Sequence, residues 1–237
     1  MTEILFAAVD PTQALIPGIN LNIGATDDPN GVSTTLRILL LMTVLSLAPA
    51  ILILMTCFTR IVIVLSFVRT ALATQSMPPN QVIIGLSLFL TFFVMSPVFA
   101  EVNETALKPF QEGQISQEEA FDTAMIPMKE FMAKHTREKD LALFLKYTRV
   151  EKPTTIQDIP LTVLVPAFAI SELKTAFQIG FMIFIPFLVI DMVVASTLMA
   201  MGMMMLPPVM ISLPFKILLF ILVDGWHLVV QSLLLSF

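Results

Sequence analysis

Five ionisable residues stand where their chemistry is costly: Glu172, Lys174, Asp191, Lys216 and Asp224 interrupt runs that are otherwise apolar. At a bilayer centre each costs about 2.5–3.5 kcal/mol on insertion scales, so each needs a partner, water or a place outside the lipid. Two chemistries fit such a set. One is a proton or ion relay of the kind a secondary transporter uses; the other is ion pairing between subunits of an oligomer. Lys216 and Asp224 are eight residues apart, about two helical turns, so they share a face without touching. Pairing between subunits is the preferred reading, and it implies a protein that does not work as a monomer.

Nothing alongside these residues forms an enzyme site. The sequence has no His-Glu-x-x-His, no Gly-x-Ser-x-Gly and no Gly-x-x-x-x-Gly-Lys-Ser/Thr. The two histidines lie far apart: His135 reads as a residue of a solvated helix, and His227, after Trp226, as an interfacial or interior polar residue. Cys57, the single cysteine, lies in an apolar run and reads as a small hydrophobe. No catalysis, cofactor or metal is expected. A second unusual stretch is Met201-Gly-Met-Met-Met-Leu-Pro-Pro208. Leu or Ile would specify a rigid core more sharply than methionine does, so flexibility can itself be the purpose, although the triplet on its own also reads as core filling.

The elements that must hold these residues follow from composition. Of 237 residues 57% are hydrophobic and 13% charged, against about 25% charged in an ordinary soluble domain, and the mean hydropathy is +0.89. That is the composition of a membrane protein, and the net charge of −5 argues against nucleic acid as a partner. Of the 31 charged residues, 19 fall between Glu101 and Asp158, which divides the chain into a tail (1–35), a helical hairpin (36–100), a charged helical insert (101–158) and a second hairpin (159–237). Ile38–Thr59 is 22 residues without a charge, roughly 33 Å as helix and enough for a hydrocarbon layer of about 30 Å. Helices are predicted over Arg37–Val68, Pro79–Phe99, Leu161–Ile190, Met192–Phe215 and Phe215–Phe237, four hydrophobic spans in the simplest count. Interior prolines (Pro49, Pro97, Pro166, Pro186, Pro214) kink such helices and are tolerated where protein or water satisfies the freed backbone.

In the insert, Phe121, Met125, Met128, Phe131 and Met132 recur at helical spacing over Gln117–His135, and Leu141, Phe144 and Leu145 do so over Glu138–Thr148. An insert this small buries little by itself. Its apolar surface, with Phe131 and Phe144, packs either within the chain, the preferred reading, or on a neighbouring copy. Arg60 and Arg69, in the first connection, place that connection in the cytoplasm by the positive-inside rule, and the tail and insert outside. An outside tail has to be translocated, yet Met1–Ile16 has neither a basic n-region nor a long apolar h-region. A precursor with a signal peptide is therefore entertained.

Several stretches carry a resemblance. Pro166-Ala-Phe-Ala-Ile-Ser-Glu-Leu-Lys-Thr-Ala-Phe-Gln-Ile-Gly-Phe181 and Pro214-Phe-Lys-Ile-Leu-Leu-Phe-Ile-Leu-Val-Asp-Gly-Trp226 are similar to the two signatures of the FliP/SctR family of type III secretion export-gate subunits. Phe58–Arg69, Gln75–Gln81 and Met201–Pro208 resemble the family as well, from about Leu36 to the C-terminus. The Asp-Gly-Trp ending and the triple methionine favour the flagellar branch. The resemblance implies an all-α, membrane-associated channel of kinked hairpins, raised above the bacterial inner membrane within the flagellar basal body. It implies about five copies assembling with FliQ and FliR, with FlhB and FlhA nearby, in contact with inner-membrane lipid and conducting unfolded flagellar substrates. It further implies that Met203, Met204 and Met205 ring the pore as a gasket, with Gly202, Pro207 and Pro208 setting the loop geometry. Unbranched thioethers repack around many shapes with little strain, and apolar constrictions stop ions by dewetting. In the same light Glu172 and Lys174 take inter-subunit pairing, and Lys216 and Asp224 do likewise or shape the gate. The rival is a secondary transporter for protons or a small solute.

Overall fold

In the computed structural model the described residues are 53–74, 76–148, 153, 155–203 and 205–237, with scattered positions from 39 to 51. The predicted 1–35 tail, and with it the signal-peptide question, lies outside them. Contacts divide the chain after Ala48, and the unit from Pro49 onward holds every candidate site.

That unit is all-helical among the described residues. Its elements are α1 (Pro49–Met55), α2 (Phe58–Ala71), α3 (Asn80–Val102), α4 (Lys108–Gln111), α5 (Gln117–His135), α6 (Glu138–Thr148), α7 (Leu161–Ala200), α8 (Pro208–Leu222) and α9 (Gly225–Leu235). A π turn, Asn103–Leu107, joins α3 to α4, so one helical rod runs from Asn80 to Gln111. Pro109 explains the widened turn: its ring would meet the carbonyl of Thr105, four residues earlier, in an α-helix. The predicted boundary at 101 is therefore a change of composition within a continuing helix.

Both insert helices form over the predicted spans. Ser116 caps α5, its Oγ accepting the Glu119 N–H at 3.2 Å, and Glu118 and Glu119 complement the dipole of the first turn. The apolar helices depart from expectation at several places. Arg37–Val68 is not continuous: α1 and α2 meet at an 80° bend around Thr56 and Cys57. Conversely, the predicted break at Asp191 is absent, because α7 runs through it to Ala200, and the predicted Met192–Phe215 and Phe215–Phe237 are divided instead by the loop before Pro208 and by the bend at Asp224. A charge within an apolar run does not end a helix when its head group finds a partner.

With 40 residues, α7 is about 60 Å long, roughly twice the hydrocarbon thickness. It is the spine of the unit, touching α2, α5, α6 and α8. The main core lies between α2, α3, α7, α8 and α9, with Ile61, Val64, Leu65, Val68, Leu90 and Ala176 buried in it. A second core, Met132, Ile159, Val163, Leu164 and Phe168, seats the insert on the N-terminal half of α7. Among the described residues two helical rods are long and apolar enough to cross a membrane, or up to four spans if each bent pair counts as one. Only 11% of the most apolar window of α7 is buried within the chain, so its flanks are built to meet lipid or other protein.

Candidate functional site

The methionine loop sits at the tip of the α7–α8 hairpin. Its entry is a Schellman motif: Gly202 has φ +74°, its N–H reaches the Met199 carbonyl at 3.0 Å, and the Met203 N–H reaches the Leu198 carbonyl at 3.0 Å. Glycine takes this left-handed conformation without a Cβ penalty. On the exit side Pro207 and Pro208 open α8, where a missing N–H costs nothing and the fixed φ suits the first turn. The side chains between project outward: Met203 is 44% and Met205 98% exposed. Met204 lies outside the described residues.

Away from the tip, the hairpin arms are tied by an ion pair. Lys216 Nζ on α8 donates to Asp191 Oδ2 on α7 at 2.6 Å, and Ser212 Oγ donates to Asp191 Oδ1 at 2.5 Å. Lys216 is buried and Asp191 partly exposed. Beyond α8 the chain bends by 63° into α9. Asp224 supplies the bend, at φ 51° as the N-cap of α9, and its side chain is exposed. Aspartate is among the few residues that visit this region readily. The next residue has to be glycine, because a Cβ on Gly225 would stand 2.2 Å from the Phe220 ring. Trp226 then packs edge-on against Phe220 at 5.4 Å between centroids.

A denser polar cluster lies where α2, α5, α6, α7 and α9 meet. Arg60 of α2 grips Glu172 of α7 through two hydrogen bonds, one from Nη2 and one from Nε at 2.9 Å, and both side chains are buried. Its Nη1 donates to the Ser236 carbonyl at 2.7 Å and to Ser236 Oγ at 3.0 Å, and the guanidinium lies 3.9 Å over the Phe237 ring. Lys134 Nζ donates to the Phe237 carbonyl oxygen at 3.3 Å. One residue before Glu172, Ser171 Oγ donates to Asp140 Oδ2 at 2.6 Å and accepts the Arg137 N–H at 3.0 Å. Burial opposes the charge on Asp140, but the hydrogen bonds from Ser171 and Arg137, with the Arg137 charge, outweigh it and hold the pKa below the usual range. His135 is half-buried between Phe131 and Phe237, and burial, helped by the charges of Arg60 and Lys134, pushes its pKa down to about 4. Among the described residues no three His, Cys, Asp or Glu side chains gather as a metal site would require.

Residues 41–233 match the model of the FliP family. The chain is 72% identical to the flagellar biosynthetic protein FliP of Bacillus subtilis (strain 168), over 92% of this chain and 98% of that relative. It is 57% identical to the FliP of Pectobacterium carotovorum subsp. carotovorum, over 88% of this chain and 82% of the relative. With the FliP of Aquifex aeolicus (strain VF5) the identity is 50%, over 94% and 92%. The chain belongs to the FliP family.

Within this FliP-family fold the predicted polar residues divide. Glu172 finds a partner inside the chain, its carboxylate taken up by Arg60. Lys216 likewise pairs inside the chain, with Asp191, while Asp224 is exposed as a bend residue. Lys174 remains exposed on α7. Phe131 and Phe144 pack inside the chain against the second core, and Phe131 meets Phe168 at 6.1 Å. His135 is not on a solvated face, whereas His227 is exposed. Arg60, counted among the bases of a cytoplasmic connection, is 3% exposed in the middle of the bundle, so of the two arginines only Arg69 bears on orientation. Arg60, Ser171, Ser212 and Asp140 escaped sequence reasoning. The available signal was an arginine inside an apolar helix with no acid near it in the sequence, which demands a buried acid somewhere in the chain.

Proposed function

We propose that the chain is a core pore-forming subunit of the flagellar type III protein export gate. About five copies assemble with FliQ and FliR at the inner membrane of the basal body, with FlhB and FlhA nearby, and conduct unfolded flagellar proteins through a central channel. The methionine loop acts there as a deformable gasket. One observation carries this reading: a FliP-family chain presents Met203 and Met205 to the outside at the tip of a hairpin whose arms are themselves apolar and exposed. A solvent-facing pair of flexible apolar side chains at a tip is unfavourable for a monomer and useful where several tips converge. The fixed pairs Arg60–Glu172 and Lys216–Asp191 favour structural ion pairing over the relay that a secondary transporter needs.

Replacing Met203, Met204 and Met205 together by alanine tests the reading. The assembly should form as before while small-ion conductance through it rises, because shorter side chains leave a wetted path. Unchanged ion tightness in the assembled complex would remove the gasket.

A further inference from the structure

The Lys216–Asp191–Ser212 cluster has a placement that simple charge neutralisation does not require. Asp191 lies nine residues before Ala200, the end of α7, and Lys216 eight residues after Pro208, the start of α8. At 1.5 Å per residue both stand about 12–14 Å from the loop, so the pair is a level strut between the two arms. On the side away from the loop, Phe187 and Phe220 pack at 6.3 Å between centroids. Alongside the strut and on toward the loop, Val189, Val193, Thr197 and Leu198 of α7 and Ile211 and Phe215 of α8 line an apolar groove of about 520 Å³. Among the described residues the strut is the side-chain polar tie between the two arms.

An apolar pair at this level would fill space without fixing register, since hydrophobic contacts slide and repack, whereas a charge pair with a second hydrogen bond from Ser212 has one geometry. Resting on the gate reading above, we propose that Asp191, Lys216 and Ser212 are positioning residues for the methionine loop. They fix the spacing and register of the two arms that present Met203 and Met205. The arms beyond the strut remain free to flex, which lets the loop adapt without losing its place.

The test uses the full chain in its assembled complex and compares two thiols. One is introduced by Leu198→Cys, at a position 8% exposed beside the groove; the other is native Cys57, fully buried near the α1–α2 bend. In that background Asp191→Asn should raise maleimide labelling of the introduced thiol about tenfold, the factor that corresponds to about 1.4 kcal/mol of lost closure, and leave Cys57 unlabelled. Ser212→Ala, which removes one hydrogen bond and no charge, should give a smaller rise in the same direction. Exchanging the charges, Asp191→Lys with Lys216→Asp, should bring the rate back down. Equal labelling of variant and parent overturns the proposal, as does a parallel rise at Cys57 in Ser212→Ala, which reports general loosening. Ion conductance separates this from the gasket. If the methionine-to-alanine variant leaks while Asp191→Asn changes neither leak nor labelling, the strut fails and the gasket stands. If Asp191→Asn changes labelling while the methionine variant stays tight, the strut stands and the gasket fails.

Discussion

The two ends of α7 are held in opposite ways. Around Ser171 and Glu172, four other helices converge, and Arg60 alone satisfies Glu172, caps the end of α9 through Ser236 and stacks on Phe237. Toward Ala200 the same helix has one ion pair with α8, an apolar groove and then a loop whose Met205 is 98% exposed. The first region completes itself within one chain. The second ends in apolar side chains that the chain itself leaves exposed. A helix about 60 Å long can thus act as a frame at one end and present an adaptable element at the other, and the burial of charge tells which end is which.

Breaking the framed end should have the largest effect. Arg60→Ala leaves Glu172 buried without its counter-charge, which costs about 3–5 kcal/mol, whereas removing both partners with an apolar pair such as Arg60→Met with Glu172→Leu costs much less. The yield of folded protein in mild detergent, followed by size exclusion and thermal melting, should collapse for the single variant and recover in the double one. Equal losses in both would show that the pair is incidental. At the adaptable end, Gly202→Ala forces a Cβ into the left-handed region and should cost about 1–2 kcal/mol, a smaller drop in melting temperature than that of Arg60→Ala. Its larger consequence should be a raised ion leak, because the methionine loop would enter from a different angle. A melting loss as large as that of Arg60→Ala would contradict the contrast between the two ends.

What could be read from the sequence divides along the same line. The insert helices α5 and α6 were legible to the residue because their apolar positions repeat on one face and their other faces are charged, so period and boundary coincide. In α7 the apolar residues surround the helix, and periodicity carries no information about where it ends. Asp191 then looked like a boundary when it was a contact point. Its partner is 25 residues away and that of Glu172 is 112 residues away, and no local pattern links such positions. The methionine stretch was legible as a turn because Gly202 and the proline pair are local turn chemistry. Asp-Gly-Trp was legible as a motif, but its physical content, a left-handed Asp224 and a ring packed on Gly225, required the fold.

The smallest expected effect concerns the seam between the insert and the framed end, where His135 lies between Phe131 at 4.8 Å and Phe237 at 5.5 Å. The fold accommodates the neutral ring, with a pKa of about 4 against 6.5 in the unfolded chain. Above pH 6.5 both states are neutral and the contact contributes fully; as pH falls from 6.5 toward 4 the unfolded chain binds the proton first, so stability declines across that window. Asp140 does not blur the reading, since its lowered pKa removes stability only as pH falls below the ordinary 3.8. Partial exposure screens the His135 effect to less than about 1 kcal/mol near pH 5.5. Thermal melts of the full chain between about pH 7 and about pH 5 should therefore slope gently downward, and His135→Phe, which keeps the ring contacts and removes the titration, should flatten that slope. If the slope persists in His135→Phe, another group governs the seam. If His135→Phe instead lowers stability at neutral pH by as much as Arg60→Ala does, the ring is part of the frame itself and the boundary between insert and frame lies elsewhere.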